Sequence, residues 1–254
     1  MRGLLVTGIV AFSAIAGAAN AQQVKMMTGP QGGSWYPLGG ALQSMVSNDG
    51  IRVQVLPGGG VANAQGVQGG QADLAFGNSI SVVDAIKGRP PFKGKADNIC
   101  LVATLYPQYF HIVATEASGV KSVDDLKGKR IVTQPVGNTA EQVTRAVLET
   151  QGLTYKDMRS VDYVSYSDGV SLLQDGNGDV FTLGTTVPAS SVMDLSNSTK
   201  VTFVPLTEDF IDKMKANINP GYASLIMPAG SYPGQDKDVR VVGYTTQLIG
   251  RCNL

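Results

Sequence analysis

The sequence predicts an α/β protein of two lobes with mainly parallel sheets. Strand-like and helix-like segments alternate along the chain, which is typical of parallel sheets covered by helices on both faces. Seven or more such units exceed one compact sheet, so we expect two lobes. Hydrophobic residues make up 43% of the 254 residues, and a chain of this length and composition can bury two cores.

The charge and composition exclude two classes of protein. The 20 Lys and Arg residues equal the 20 Asp and Glu residues in number, so no basic excess exists to neutralise nucleic-acid phosphates. A disordered chain needs low hydrophobicity and high net charge, and this chain has neither. The 31 glycines indicate many tight turns or a backbone that comes close to a ligand.

The first residues have the pattern of a secretory signal peptide. Arg2 precedes an apolar run over residues 4–19, and Ala19-Asn20-Ala21 gives the small-x-small pattern of a cleavage site. We expect cleavage after Ala21 and a mature protein in the periplasm that begins at Gln22. The alternative is a transmembrane anchor.

The first half of the mature chain predicts three strand-to-helix units and a long apolar stretch. Pro37 favours the start of a helix, where its missing N–H has no partner to lose. Asn78 and Ser79 are suited to cap the third helix. Predicted strands cover residues 24–28, 51–55, 73–76, 99–105 and 109–115, with Pro107 between the last two.

The second half repeats this rhythm. Residues 122–125 form a capping box ahead of a strand at 131–133. Further strands are predicted at 160–164, 180–183, 201–204, 222–226 and 239–244, and helices at 140–151, 168–175, 188–195 and 208–217. We expect the chain to cross between lobes at Pro107 and to return near Pro220.

The single histidine and the two cysteines give weak signals. His111 lies within a predicted strand, where a structural histidine is favoured over a general base. Cys100 lies in an apolar run, so a buried free thiol is favoured over a bridge to Cys252. The sequence contains no spacing typical of zinc or iron–sulfur sites.

Three turns before helices share one design. Residues 29–36, 77–79 and 137–139 place glycine and short polar side chains ahead of a helix. Free backbone N–H groups and the positive end of the helix dipole make such turns receptive to anions. In an open α/β sheet these turns lie at the carboxyl ends of the strands, where ligands bind. Ordinary helix capping is the alternative for each turn.

No pattern in the sequence demands a cofactor or a catalytic group. The first loop lacks the Lys-Ser/Thr of a P-loop and the glycine spacing of a dinucleotide site. No G-x-S-x-G motif or suggestive carboxylate pair is present. Trp35 and Tyr36 lie in the glycine-rich loop, where contact with a ligand is favoured over a core position. Tyr106 and Tyr109 flank the predicted crossing.

Several stretches resemble one known family. They comprise residues 28–40, 70–76, 105–113, 122–130, 179–181 with Pro188, and 230–235. The chain resembles the TAXI-family solute receptors of tripartite ATP-independent periplasmic (TRAP) transporters along essentially its whole mature length. The stretches 28–40 and 105–113 are the most specific.

The resemblance implies a type II periplasmic-binding-protein fold with a discontinuous first lobe. Lobe I would comprise residues 22–107 and 222–254, and lobe II residues 108–221. A monomeric receptor without catalytic residues, cofactor or metal would bind a small carboxylated solute, such as an amino acid or dicarboxylate, and deliver it to a TRAP permease. Its site would use Gly33, Ser34, Trp35, Tyr36, Asn78, Ser79, Tyr109, Gly137, Asn138, Thr139, Thr185 and Thr186.

Two departures and two alternatives accompany this interpretation. Pro30 and residues 185–187 differ from the usual family residues. Family members continue for several dozen residues beyond the equivalent of Leu254, so we expect a first lobe without its final helices. A receptor for an ATP-driven (ABC) transporter would share the fold and the turn at 122–130. An exported hydrolase or transferase on the same architecture is the third possibility.

Overall fold

A computed structural model describes residues 23–253 as ten strands and seven α-helices. The predicted signal peptide and the predicted N-terminus at Gln22 lie outside the described residues. The strands are β1 (Gln23–Met27), β2 (Arg52–Leu56), β3 (Leu74–Asn78), β4 (Ile99–Thr115), β5 (Arg130–Thr133), β6 (Ser160–Tyr163), β7 (Val180–Thr185), β8 (Val201–Phe203), β9 (Ala223–Met227) and β10 (Val239–Arg251). The helices are α1 (Trp35–Ser47), α2 (Gly60–Gln68), α3 (Ser79–Lys87), α4 (Thr139–Thr150), α5 (Tyr166–Gln174), α6 (Ser190–Ser198) and α7 (Glu208–Asn217).

The strands form one mixed sheet in the order β2-β1-β3-β10-β4-β7-β5-β6, with β8 beside β4 and β9 beside β10. Pairing is parallel among β1, β2 and β3 and among β5, β6 and β7. It is antiparallel wherever β4 or β10 takes part. The predicted parallel strands are therefore correct at the two ends of the sheet, while the two long central strands run against them.

We call β1–β3 with α1–α3 the first lobe and β5–β8 with α4–α7 the second lobe. Strand β4 pairs with β10 over its first part and with β7 from Tyr109 onwards. Strand β10 pairs with β9 up to Gly243 and with β3 from Thr246 onwards. Both crossings between the lobes are therefore continuous strands.

Two predicted strands around Pro107 are in fact one. Strand β4 runs over 17 residues without a break. Proline lacks the N–H that a ladder needs, so it is confined to edges and bulges. Pro107 lies opposite Thr245, next to a register shift in the β4–β10 pairing, which is how the strand accommodates it.

The buried side chains divide between the lobes. The largest cluster surrounds β5 and β7 and includes Val132, Phe181 and Leu183. Two smaller clusters cover the faces of the first-lobe strands, one around Ala75 and one around Phe76. The start of β4 exposes more than half of Leu101 and Val102.

The lobe boundaries remain a prediction. Val241 and Met227, which we assigned to lobe I, belong to the buried cluster that surrounds β7. On these contacts we propose that the return to the first lobe falls near Gly243 rather than at residue 222. Within residues 23–253, no helix combines the length and apolar character that crossing a bilayer requires.

The expectation of a free buried thiol at Cys100 was wrong. Cys100 at the start of β4 is bonded to Cys252, which follows the end of β10, and their Cα atoms are 5.0 Å apart. The two cysteines are 152 residues apart in the sequence, so no local pattern indicates that they pair. Antiparallel pairing of Ile99 with Arg251 brings the two cysteines together.

Helix α1 begins at Trp35, two residues before the predicted start at Pro37. Proline is accepted anywhere in the first helical turn, since the N–H groups there have no partners within the helix. The consequence is that Trp35 lies in a helix rather than in a loop. Its ring is buried, with its centroid 5.8 Å from that of Phe76.

Candidate functional site

A small cavity lies in the cleft between the lobes. Its volume is about 30 Å³, measured as space open to the centre of a water molecule. Since each water needs about 10–15 Å³ on this measure, the cavity has room for a compact group of a few atoms. It is lined by Pro30, Gly33, Ser34, Trp35, Gly59, Gln108, Gln134, Asn138, Thr139, Ala140, Tyr166, Gly184 and Tyr244.

Three helices begin at this cavity. Ser34, Gly59 and Asn138 precede the first residues of α1, α2 and α4, respectively. Within the described part of the chain, none of the three supplies a side-chain capping hydrogen bond to its helix. By contrast, Asn78 and Ser165 do cap α3 and α5. The first residues of α1 and α4 thus lie at the cavity, on opposite lobes and without a side-chain cap.

The first turn of α2 already has a partner in the second lobe. The carbonyl oxygen of Gly137 accepts hydrogen bonds from the backbone N–H groups of Val61 and Ala62, both at 3.1 Å. Gly137 has φ +97°, a conformation that favours glycine. This contact leaves α1 and α4 as the helices available to a ligand.

The two long strands each supply one lining residue, Gln108 from β4 and Tyr244 from β10. Thr246 Oγ1 of β10 lies 2.9 Å from the amide of Gln108 and 3.3 Å from Trp35 Nε1. The amide orientation that satisfies both ends of Gln108 turns its oxygen toward Trp35 and its nitrogen toward the Gly184 carbonyl, 3.1 Å away. Gln108 therefore links the first-lobe tryptophan to the second-lobe strand β7.

Two buried polar atoms beside the cavity lack partners among residues 23–253. They are the hydroxyl of Tyr244 and the Oε1 atom of Gln134, and both residues are 1% exposed. Burial raises the pKa of Tyr244 well above its usual value, so the hydroxyl keeps its proton and can donate. An unpaired buried polar group is costly, which indicates that a ligand partners these atoms.

The lining carries no ionisable side chain except two tyrosines. Tyr166 is the second, and its hydroxyl donates to the Gly184 carbonyl at 3.0 Å. Burial also raises the pKa of Tyr166, so both tyrosines are neutral at pH 7. Throughout residues 23–253, no three His, Cys, Asp or Glu side chains are grouped as metal ligands. The lining is therefore uncharged at pH 7.

Further hydrogen bonds join the lobes beside the cavity. Asn78 Nδ2 donates to Thr139 Oγ1 at 2.7 Å, and Ser81 Oγ donates to Gln142 Oε1 at 2.7 Å. Asp84 accepts from Gln142 Nε2 at 2.9 Å and from Asn219 Nδ2 at 2.7 Å. Burial raises the pKa of Asp84 to about 6, against the opposing effects of Arg89 and of these hydrogen bonds.

The structure brings five of the predicted site residues to the cavity and places the others elsewhere. The cavity is lined by Gly33, Ser34, Trp35, Asn138 and Thr139. Gly137 does not line it but directly precedes Asn138 in the chain. Tyr36 is 44% exposed on the outer side of α1. The hydroxyl of Ser79 accepts from the backbone N–H of Thr245. Tyr109 and Thr185 are paired in the sheet, while Thr186 and Asn78 are absent from the lining.

The turn at residues 77–79 caps α3, as expected of Asn78, and does not form one of the anion-receptive turns at the cavity. Asn78 Oδ1 accepts from Ser81 N at 2.9 Å, so the N-terminus of α3 is occupied by its own cap. The third helix start at the cavity is that of α2, after the glycines of residues 58–60. The run of glycines at residues 58–60 is the signal in the sequence for this helix start.

Sequence reasoning missed eight lining residues, and some of them carried a readable signal. Gln134 directly follows β5, at the carboxyl end of a parallel strand, where ligands bind. Gln108 lies between the two tyrosines that flank the crossing. Tyr244 and Gly184 lie within strands, where no local pattern distinguishes a cavity from a core. The missed set is Pro30, Gly59, Gln108, Gln134, Ala140, Tyr166, Gly184 and Tyr244.

The structural role expected for His111 is confirmed. It is fully buried, and its ring nitrogens lie 3.0 Å from the Tyr109 carbonyl and 2.9 Å from the Tyr232 hydroxyl. Burial lowers its pKa to about 4, so the ring is neutral at pH 7. A neutral ring with both nitrogens paired holds strands in place and does not reach the cavity.

A model of the NMT1-like family matches residues 26–254. The alkanesulfonate-binding protein of Xanthomonas axonopodis pv. citri, bound to MOPS, is 16% identical, with a TM-score of 0.50 over 93% of this chain and 68% of that one. A binding protein component of an ABC phosphonate transporter from Pseudomonas aeruginosa is 12% identical, with a TM-score of 0.55 over 92% and 70%. Prochlorococcus marinus PhnD1, in complex with methylphosphonate, is 12% identical, with a TM-score of 0.54 over 91% and 77%.

These likenesses confirm the two-lobed type II periplasmic-binding-protein fold. Identities of this size concern the fold alone. The chain spans 60–68% of the length of the sulfonate-binding proteins that it matches.

Proposed function

Because this chain belongs to the NMT1-like family, we propose that it is a periplasmic receptor that captures a small anionic solute between its lobes. It delivers the bound solute to a membrane transporter and catalyses no reaction. Two solved proteins of similar fold are binding proteins of an amino acid ABC transporter and of an ABC phosphonate transporter, which supports a role in uptake.

One observation carries the proposal. Helices α1 and α4 begin at the same cavity from opposite lobes, and within residues 23–253 neither is capped by a side chain. Backbone N–H groups at a helix start bind anions, and the dipole adds up to about 2 kcal/mol in partly buried geometry. An anion that bridges the two helices would hold the lobes together, as a receptor requires.

The transporter is best assigned to the ABC class. The phosphonate-binding protein of similar fold belongs to an ABC transporter. A receptor for an ABC transporter is also one of the alternatives that the sequence allows. The TRAP class is the second candidate, favoured by the TAXI-like residues 28–40 and 105–113. Uptake by proteoliposomes that contain the permease separates the two, because an ABC transporter requires ATP and a TRAP transporter does not.

The solute is an oxyacid of the carboxylate, sulfonate or phosphonate class. A thermal-shift screen of these classes tests the proposal, since a ligand at 100 times its dissociation constant adds about 2.7 kcal/mol to the stability of the folded state. Trp35, the only tryptophan, lines the cavity, so its fluorescence should change on binding. Failure of all three classes to bind, or chemical turnover of a bound solute, would overturn the proposal.

A further inference from the structure

We infer that the solute is a singly charged acid that also carries a neutral hydrogen-bond donor, such as a hydroxyl or an amide. Gln134 Oε1 accepts from that donor, and the Tyr244 hydroxyl donates to the acid. The inference deepens the proposed function and rests on it. The inference rests on two observations: Gln134 Oε1 and the Tyr244 hydroxyl have no hydrogen-bond partner among residues 23–253, and the cavity lining carries no charge.

Gln134 offers an acceptor in a fixed direction. Its Nε2 atom donates to the Val164 carbonyl at 2.7 Å, which determines the orientation of the amide. The opposite end, Oε1, has no partner among residues 23–253, although the residue is 1% exposed and lines the cavity. An acceptor cannot pair with a fully ionised acid group, which has only acceptors of its own. The solute must therefore bring a donor.

Tyr244 offers the complementary donor. Its hydroxyl lies against Gly184, so close that a Cβ atom at that position would overlap it. The Gly184 carbonyl already accepts from Tyr166, and the Tyr244 oxygen has no partner within the described chain. A protonated phenol that is 1% exposed gains most by donating to an anionic oxygen, since such charge-assisted bonds are the stronger kind.

The charge of the lining limits the charge of the solute. No Lys, Arg, Asp or Glu is among the lining residues. Each helix start is equivalent to about half a positive charge. Two helix starts therefore balance a solute with one negative charge better than a solute with two negative charges. A solute ammonium group would be buried without a carboxylate, which is unfavourable. A neutral donor on a monoanion meets both conditions.

Matched pairs of acids test this directly. Each pair exchanges a hydroxyl for a methyl group and leaves the fully ionised, singly charged acid group unchanged: glycolate against propionate, and 2-hydroxyethanesulfonate against propanesulfonate. In the class that binds, titration calorimetry should show the hydroxylated member binding about 10- to 100-fold more tightly, because its partner leaves Gln134 Oε1 unpaired. Equal affinity within the pair would overturn the inference while leaving the receptor function intact.

Three variants locate the effect. Gln134→Met should abolish the preference for the hydroxylated member, whereas Tyr244→Phe should weaken both members of the pair alike. Gln43→Met is the matched control, because Gln43 also donates from Nε2 to a backbone carbonyl, that of Val53, but lies exposed on α1. It should keep the wild-type preference. A preference that survives in a folded Gln134→Met protein would refute the assignment. Absence of binding to all four acids would refute the inference, while the thermal-shift screen decides the receptor function separately.

Discussion

Asn78 and Thr139 join the two lobes through a hydrogen bond of 2.7 Å from Nδ2 to Oγ1. Asn78 is fully buried and Thr139 is 7% exposed. The same Asn78 side chain accepts from Ser81 N and so caps α3, while Thr139 is the first residue of α4. One side chain thus fixes the start of a first-lobe helix and binds the start of a second-lobe helix.

We expect Thr139→Val and Asn78→Ala each to weaken solute binding. Both variants lose a bond that joins the two lobes, and a hydrogen bond of this kind contributes about 0.5–1.5 kcal/mol. Calorimetry on the wild type, both single variants and the double variant gives the coupling energy. Strictly additive losses would mean that the two side chains do not cooperate in closure.

Gly59→Ala should prevent the lobes from closing. A Cβ atom at Gly59 would overlap the side chain of Asn138, and the extended backbone there, with φ 177°, imposes no other need for glycine. We expect at least a 10-fold loss of affinity, corresponding to about 1.4 kcal/mol. The unfolding temperature of the unliganded protein should change little.

Gly40→Ala is the control for that variant. Gly40 lies within α1, and a Cβ atom there would meet nothing within 4 Å. Alanine at this helical position should stabilise the fold by about 0.5–1 kcal/mol and leave binding unchanged. Comparable affinity of the Gly59→Ala and Gly40→Ala proteins would show that the Gly59–Asn138 contact is not needed for binding.

Asp84 should make stability depend on pH in an unusual direction. Because its pKa is raised to about 6 from an ordinary 3.8, the folded protein binds the proton more tightly than the unfolded chain does. The favourable contribution of Asp84 to the free energy of unfolding is therefore complete below about pH 4 and is lost as the pH rises through 6. After allowance for solvent screening, we expect a change of about 1–2 kcal/mol between pH 4 and pH 7.

Asp84→Asn isolates this contribution. Other carboxylates, such as Asp179 beside Arg130, have lowered pKa values and shift stability the opposite way, so wild type and variant must be compared at each pH. In urea unfolding, the free energy of unfolding of the Asp84→Asn protein should increase relative to that of the wild type as the pH rises from 4 to 7. A constant difference over that range would mean that Asp84 titrates at its ordinary pKa.

The Cys100–Cys252 bond should contribute strongly to stability. It closes a loop of 152 residues, and bonds that close long loops restrict the unfolded chain most, typically by about 2–4 kcal/mol. We expect replacement of both cysteines by serine to lower the free energy of unfolding by that amount. Denaturation of the oxidised and reduced wild type gives an independent value, and equal stabilities would contradict the prediction.

The sequence predicted the parts of the fold that depend on local pattern. Strand and helix alternation is visible in residue order, and the cap at Asn78 and the capping box at Ser122 are formed as expected. It did not predict the continuous strand β4, because Pro107 is a local signal for a break. Its acceptance depends on a register shift opposite Thr245, which only the paired strand creates.

The site residues also divide into those that a local pattern predicts and those that depend on distant parts of the chain. Gly33, Ser34, Asn138 and Thr139 could be found because each lies just before or at the start of a helix, which is a local property. Tyr244 could not be found, since nothing near it in the chain separates a tyrosine at a cavity from one in a core. Its role depends on Gly184, 60 positions earlier in the chain, whose lack of a side chain leaves room for the phenol.

The two long strands have a consequence for how the molecule denatures. In a protein whose lobes are joined by flexible segments, each lobe can melt as a separate unit. Here β10 pairs with β3 of the first lobe, β4 pairs with β7 of the second lobe, and β4 and β10 pair with each other, so both lobes belong to one hydrogen-bonded sheet. We therefore expect calorimetry to record one endotherm, with equal calorimetric and van't Hoff enthalpies. Two resolved peaks would show that the shared strands do not impose this cooperativity.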